Sequence, residues 1–500
     1  EARGGRPPVK LLVANRGEIA VRIFRACREL GLRTVAVFSD ADRTAPHVAM
    51  ADEAVRLGPA PARDSYLWVP ALLEAARRTD ARLIHPGYGF LAENAHFARA
   101  CVEAGFVFVG PSPETIEAMG SKTESRRLME AAGVPVVPGT VRPAGSAREL
   151  EEFGRRSGFP ILLKASAGGG GKGMRRVDGE KEVAEAFERV SAEAKAYFGD
   201  GAVYAEKLIE RPRHVEVQVI GDARGNLLAV GERECSLQRR HQKIVEECPS
   251  QAVDGALRER LLAAALRAAE TVGYVSCGTI EFLLAPDGSF YFLEVNTRLQ
   301  VEHPVTEEVW GVDLAAEMIR IALGEPLGFR NLSPRGHAIE CRIYAEDPAR
   351  GFAPSPGTIR ALRLPGGPGV RNDMGVESGG TVPIDYDPML GKLIVHATDR
   401  PGAIARLSRA LSEYEISGVA TTLPLFRALV CDAEFQRGFF DVQWLDRRLG
   451  DGLLVPDTVR PEDVMLAAVG LAAAHGGAGP ASATAPSSVW RQTARRELLR

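Results

Sequence analysis

A short apolar run at Val9-Lys10-Leu11-Leu12-Val13-Ala14 predicts a buried strand, and Asn15-Arg16-Gly17 reads as a turn. Over residues 18–30, Ile19, Ala20, Ile23, Phe24, Ala26, Cys27 and Leu30 recur at helical spacing, and Gly31 stops the helix. Thr34-Val35-Ala36-Val37-Phe38 is a second strand, followed by the acidic loop Ser39-Asp40-Ala41-Asp42. Strand, helix and strand in this order imply a parallel sheet in an α/β domain. The turn after the first strand carries one glycine rather than GxGxxG, so a dinucleotide site is unsupported. The alternation continues with a helix at 67–78 and strands at 82–84 and 106–109.

Gly110-Pro111-Ser112-Pro113 marks a boundary near 111–115. Residues 116–330 mix strands, helices and glycine-rich turns. Residues 331–447 are richer in short strands and turns and carry a helical stretch at 401–413. A helix at 461–474 and the linker-like stretch 476–488 precede a basic tail, 489–500. The expected fold class is therefore mixed α/β and α+β in several domains.

Composition changes this picture little. The 500 residues are 45% hydrophobic and 25% charged with a net charge of −3, which fits several globular domains. Near-neutral charge argues against a generic nucleic-acid or membrane-surface binder, and no run of 18 apolar residues predicts a membrane span. Seven dispersed cysteines without CxxC spacing read as reduced thiols in a cytoplasmic compartment. No secretory signal opens the chain, and the missing initiator Met leaves a trimmed N-terminus or a fragment as expectations. Of 62 basic residues only nine are Lys (10, 122, 164, 172, 181, 195, 207, 243 and 392). Where Arg is the default cation, each Lys is a candidate for a compact ammonium that a planar guanidinium does not replace.

Four segments carry candidate chemistry. In Lys164-Ala165-Ser166-Ala167-Gly168-Gly169-Gly170-Gly171-Lys172-Gly173, closely spaced glycines let backbone N–H groups converge on an anion between two lysines. A flexible linker is the plain alternative, but a strand-like run leads straight into the loop. The strand-like runs 278–284 and 289–295 flank Ala285-Pro286-Asp287-Gly288. A two-residue Asp287-Gly288 turn would pair Pro286 with Ser289 and set Glu281 opposite Glu294, Cβ atoms about 5 Å apart. Two such carboxylates need a bridging cation, and a divalent ion carrying nucleotide phosphates supplies one; a solvated polar face is the alternative. If the chain stays extended, Glu294, Asn296, Arg298, Gln300 and Glu302 share one side, a setting for a metal and a small anion with Glu302 as general base. His214, Glu216 and Gln218 alternate onto one face, with His214 equally readable as structural. Gln238-Arg239-Arg240-His241-Gln242-Lys243, read alone, is a solvated basic run.

Ala14 to Ala20, His85-Pro86-Gly87-Tyr88-Gly89-Phe90-Leu91, the glycine loop, Gln238 to Lys243 and Glu294 to Thr306 together resemble the biotin carboxylase family over residues 9–447. The resemblance implies an N-terminal domain (1–115) and an ATP-grasp core (116–330, with a lid over about 135–205). It also implies a C-terminal domain (331–447), leaving 448–500 as a tail outside the shared region. It implies ATP- and bicarbonate-dependent carboxylation of biotin through carboxyphosphate, with Mg²⁺ or Mn²⁺. Biotin would be borne by a carrier protein or domain, and a carboxyltransferase of an acetyl-CoA or other acyl-CoA system would follow. A homodimer is implied, and neither nucleic acid nor membrane is.

By the same resemblance, Lys122, Lys164, Gly168, Gly169, Gly170, Gly171, Lys172, Glu206, Lys207, Leu208, His214, Gln238 and His241 would bind ATP. Glu281 and Glu294, with Asn296, would hold the metal. Lys243, Arg298, Gln300 and Val301 would form the bicarbonate pocket, Glu302 would be the base, Arg342 would face the biotin ureido oxygen, and Tyr88 would sit near biotin. Ala167 and Lys172 depart from some members without altering the loop's character. No Met-Lys-Met biotin-attachment motif is present, so the chain is expected to be a separate subunit or the front of a longer one. Two other readings are another ATP-grasp ligase acting through an acyl phosphate, and a non-catalytic ATP-binding module.

Overall fold

The computed structural model describes residues 9–454 apart from 141, 166–173, 199–200 and 330–331, with the backbone alone at 122, 123, 197 and 198. The glycine loop beyond Ala165, Lys172, and the predicted helix at 461–474 lie outside these residues.

The N-terminal pattern folds as its periodicity predicts. β1 (Lys10–Val13), β2 (Arg33–Ser39), β3 (Glu53–Gly58), β4 (Leu83–His85) and β5 (Val107–Phe108) form a parallel sheet in the order β3-β2-β1-β4-β5. Helix α1 (Gly17–Glu29) buries Ile19, Ala20, Ile23, Phe24, Ala26 and Cys27, the spaced residues of the sequence. Gly17 and Gly31 have φ of +67° and +72°, the left-handed conformation that glycine enters without steric penalty.

A small antiparallel sheet follows, with β6 (Ile161–Ala165) between β7 (Met174–Val177) and β8 (Val203–Lys207). It packs with helices Ala147–Ser157 and Val183–Phe198 around its own core, including Leu150, Ile161, Leu163, Val177 and Val190.

The largest sheet has eight antiparallel strands. β9 (Arg213–Gly221), β10 (Leu227–Arg239), β11 (Gln242–Cys248), β12 (Ser276–Leu284), β13 (Phe290–Asn296) and β14 (His337–Tyr344) join strands Met389–Ala397 and Val370–Met374. The order runs β13-β12-β9-β10-β11-β14, then 389–397 and 370–374. The pairing of β11 with β14 carries the sheet without a break across the boundary expected near 330. Helix His303–Trp310 lies on this sheet, with Val305 and Val309 in a core shared with Cys248, Ala338 and Ile394. Each buried valine contributes roughly 1.5–3 kcal/mol, which fixes the entry of this helix and the residue before it, Glu302.

The β12–β13 hairpin corrects the expected turn. Ala285 N–H bonds the Ser289 carbonyl at 2.8 Å, so the loop is the three residues Pro286-Asp287-Gly288 rather than Asp287-Gly288 alone. Gly288 takes φ +80°, the conformation a three-residue hairpin loop requires. This shifts the register by one through Phe282↔Phe292. A bulge at Leu293 then restores it, and Glu281 stands opposite Glu294.

Among the described residues, no helix is long and apolar enough to cross a membrane.

Candidate active site

The site is built on one face of the large sheet. Alternation along β9 turns His214, Glu216 and Gln218 to the same side. Pairing with β12 sets Glu281 beside Glu216 on one flank, and β13 sets Glu294 on the other. Lys243, at the start of β11, reaches into this acidic face. Its Nζ donates to Glu216 at 2.5 Å, Glu281 at 2.8 Å, Glu302 at 2.7 Å and the Gln300 side-chain oxygen at 3.4 Å. The other Glu302 oxygen accepts from Arg342 Nη2 at 2.9 Å. Arg342 comes from β14 and also bonds Glu246 through Nε at 2.6 Å.

Burial and charge oppose one another here. Burial alone would raise the Glu302 carboxyl, but Lys243, Arg342 and Arg233 hold it well below the ordinary range. Burial likewise acts against the Glu281 carboxylate, and Lys243 and His214 override it. Glu246 goes the other way. Burial pushes it up to about 7 against the pull of Arg342, with Glu302 adding repulsion. Both Glu302 and Glu281 are therefore ionised at neutral pH.

The segment after β13 does not stay extended. The strand ends at Asn296 and Glu302 leads into helix His303–Trp310 with φ −81° and ψ 9°. Period-two alternation therefore cannot explain how the polar residues meet; a compact turn folded around buried Leu299 does. Asn296 and Gln300 both donate to one Glu281 oxygen, at 2.8 and 2.9 Å. Arg298 donates to the Asn296 oxygen at 2.8 Å and to Glu93 at 2.8 Å. Arg298, Val301 and Arg342 then line a cavity of about 360 Å³ together with Tyr88, Asn15, Glu18 and Tyr386. Tyr88 is buried with its hydroxyl unpaired, and its backbone carbonyl accepts from Asn15 at 2.7 Å.

The residues expected around ATP divide. His214 lies 2.9 Å from Glu281 through Nε2 and meets the Gln238 amide at 2.9 Å through Nδ1. Lys164 on β6 bonds Glu206 on β8, and Arg126 approaches the same carboxylate at 3.5 Å. Lys207 donates to the Gly158 and Phe159 carbonyls, both at 3.0 Å, and Leu208 N–H to Pro160. This ties the end of β8 to the chain before β6. The basic run is not a solvated face throughout. Arg240 and His241 form an exposed tight turn with φ of +50° and +67°, while Gln238 and Arg239 are buried and Lys243 enters the site. Lys122 begins helix Lys122–Ala131, and its side chain lies outside the described residues.

Sequence reasoning gave no role to Glu216, Arg233, Glu246 or Glu93. Arg233 is fully buried and bonds Glu216 at 2.5 Å, Gln218 at 2.8 Å, and Thr306 and Thr279 at 3.0 Å each. It backs the carboxylate that faces Lys243. The shared face of Glu216 and Gln218 was visible in the alternation of 213–219; their partners, on other strands, were not.

Two groups among the described residues place three metal-ligating atoms together: His214, Glu216 and Glu281, and Glu216, Cys235 and Glu302. In both, the ammonium of Lys243 already neutralises the carboxylates. Glu294 stands opposite Glu281, which is held ionised, so the pair offers the carboxylate oxygens a hard divalent cation takes, while Asn296 beside them turns its amide nitrogen to Glu281 and its oxygen to Arg298. The residues fit Mg²⁺.

Comparison with known proteins agrees with this architecture. Residues 8–116 match the family model "Biotin carboxylase, N-terminal domain", and residues 340–447 match "Biotin carboxylase C-terminal domain". Residues 121–330 match "Carbamoyl-phosphate synthase L chain, ATP binding domain". A biotin carboxylase of Allochromatium vinosum is 51% identical over 444 residues, 88% of this chain and 98% of the relative. A biotin carboxylase of Pseudomonas aeruginosa is 50% identical over 88% of this chain and 98% of the relative. A solved structure of the 2-oxoglutarate carboxylase biotin carboxylase domain dimer of Hydrogenobacter thermophilus, in complex with MgADP, ADP and bicarbonate, superposes with a TM-score of 0.80. It is 45% identical, covering 91% of this chain and 100% of that one.

Proposed function

The chain belongs to the biotin carboxylase family, and from that we propose that it carboxylates biotin borne on a carrier domain, consuming ATP and bicarbonate. The observation that carries the reading is Glu302, an ionised carboxylate gripped by Lys243 and Arg342 beside a cavity that Arg298, Val301, Arg342 and Tyr88 share.

Bicarbonate is a weak nucleophile. Held by Arg298 and Lys243, it presents its hydroxyl to Glu302. Once Lys243 turns to the incoming anion, Glu302 loses part of the charge that depresses its proton affinity and becomes a stronger base. The deprotonated bicarbonate oxygen attacks the γ-phosphorus, the bond to ADP breaks, and carboxyphosphate forms. Glu281 and Glu294 would hold Mg²⁺, which would neutralise charge on the phosphates. Lys164 adds positive charge on the nucleotide side. His214 and Gln238, joined to one another, orient the Glu281 side of that pocket.

Carboxyphosphate divides into CO₂ and phosphate. Phosphate takes the N1′ proton of biotin, N1′ attacks CO₂, and Arg342 donates to the ureido oxygen as negative charge develops there. Tyr88 walls the biotin side. The partners in this reading are a biotinylated carrier domain, a carboxyltransferase that uses the product, and a second copy of the chain. The setting is cytoplasmic, as seven cysteines free of disulfides support.

Phosphate release from MgATP tests the reading. It is expected to depend on bicarbonate and to rise with free biotin. Turnover indifferent to both, with a response to a carboxylic acid instead, would move the protein to the acyl-phosphate ligases.

A further inference from the structure

Lys392 lies on strand Met389–Ala397, whose register with β14 places it directly beside Arg342. Paired residues on neighbouring strands share a face, and these two cations reach the same turn. Arg342 bonds the Glu302 carboxylate at 2.9 Å, and Lys392 Nζ donates to the Val301 carbonyl at 2.6 Å. Consecutive residues of the turn that ends in the proposed base are thus held by adjacent cations from adjacent strands.

Lys392 is fully buried. Its Nζ stands 5.8 Å from the centre of the Tyr88 ring, beneath the cavity wall, and 3.7 Å from Glu18, whose two oxygens have no hydrogen-bond partner. An ammonium withdrawn from water is costly unless its charge and donors are used. A methionine would fill the same space without that cost. The short bond to Val301 is the use on view. Val301 lies between Gln300 and Glu302, both within reach of Lys243.

We propose that Lys392 is a positioning residue for the bicarbonate step: by fixing the Val301 carbonyl it sets the turn that aims Arg298, Gln300 and Glu302 at the anion. Lys392 touches neither nucleotide nor biotin in this role. The inference rests on the bicarbonate reading above, and the two fail separately. If the parent protein shows no bicarbonate stimulation, the reading falls; if the parent is stimulated and the variant behaves like it, this inference alone falls.

The experiment measures kcat and KM for bicarbonate in MgATP hydrolysis, with ATP affinity by calorimetry, for Lys392→Met in the full chain. The bicarbonate kcat/KM is expected to fall at least about tenfold while ATP affinity stays within about twofold. Lys392→Arg, which keeps a cationic donor, is expected to recover part of the loss. If Lys392→Met fails to fold because Glu18 is left without a cation, Lys392→Met/Glu18→Gln restores neutrality and is compared with Glu18→Gln alone. A bicarbonate kcat/KM within about twofold of the parent overturns the proposal. So does a loss of ATP affinity equal to the loss in bicarbonate kcat/KM, which marks a general structural defect.

Discussion

Lys243 donates to Glu302 at 2.7 Å, joining a cation from β11 to the residue that opens helix His303–Trp310. The bond helps keep Glu302 ionised. Glu302→Gln keeps the shape and removes the proton acceptor. Bicarbonate-dependent phosphate release is expected to fall by about 10²–10⁴-fold, while calorimetric ATP binding is retained. Turnover near the parent level would take Glu302 out of its role.

Removing the cation has a different signature. Lys243→Met leaves Glu216, Glu281 and Glu302 buried without their shared ammonium. Losing one partner of a buried ion pair costs about 3–5 kcal/mol, read as a lower urea midpoint at pH 8. In the parent, the depressed Glu302 and Glu281 stabilise the fold above the ordinary carboxylate range, and that contribution is lost as pH falls through their folded values. Without Lys243 their proton affinities rise, so the variant's deficit is expected to shrink as pH is lowered towards 5.

Glu281 and Glu294 face one another in register. Replacing either by Gln removes one negative charge from the proposed Mg²⁺ ligands. The Mg²⁺ concentration for half-maximal ATP hydrolysis is expected to rise by about tenfold or more. Asp287 sits at the exposed tip of the same hairpin, and Asp287→Asn is expected to leave the Mg²⁺ dependence unchanged.

Glu18 offers a second pH test. Burial raises it from 4.5 to about 7, with Asp373 adding to the rise and Lys392 opposing it. The folded protein therefore holds a proton that the unfolded chain releases. The contribution is full below the unfolded value and lost as pH rises through about 7. Glu18→Gln removes that loss. Relative to the parent, the variant is expected to gain up to about 3 kcal/mol between about pH 5 and pH 8.5, measured by chemical denaturation. A difference that does not change with pH would assign Glu18 a different proton affinity.

The β1–α1–β2 unit was legible because its apolar spacing is local, and α1 buries the residues the spacing selects. The Glu281–Glu294 pairing was also legible, although for an incomplete reason: a longer loop and the Leu293 bulge cancel. The turn at 296–302 was not legible as a turn, because alternating polar and apolar residues fit a strand equally well until Leu299 is seen in the core. The 238–243 run misled for a related reason. An exposed turn at Arg240-His241 separates two buried ends, and local composition averages over all three. Glu216 with Arg233, and Arg342 with Glu246, meet only when distant strands pair, so no local pattern announces them.

The most direct test of bicarbonate as the attacking nucleophile is label transfer. With ¹⁸O-bicarbonate and unlabelled ATP and water, each phosphate released is expected to carry one ¹⁸O, because a bicarbonate oxygen stays on phosphorus when carboxyphosphate divides. Phosphate that draws its new oxygen from water instead would contradict it.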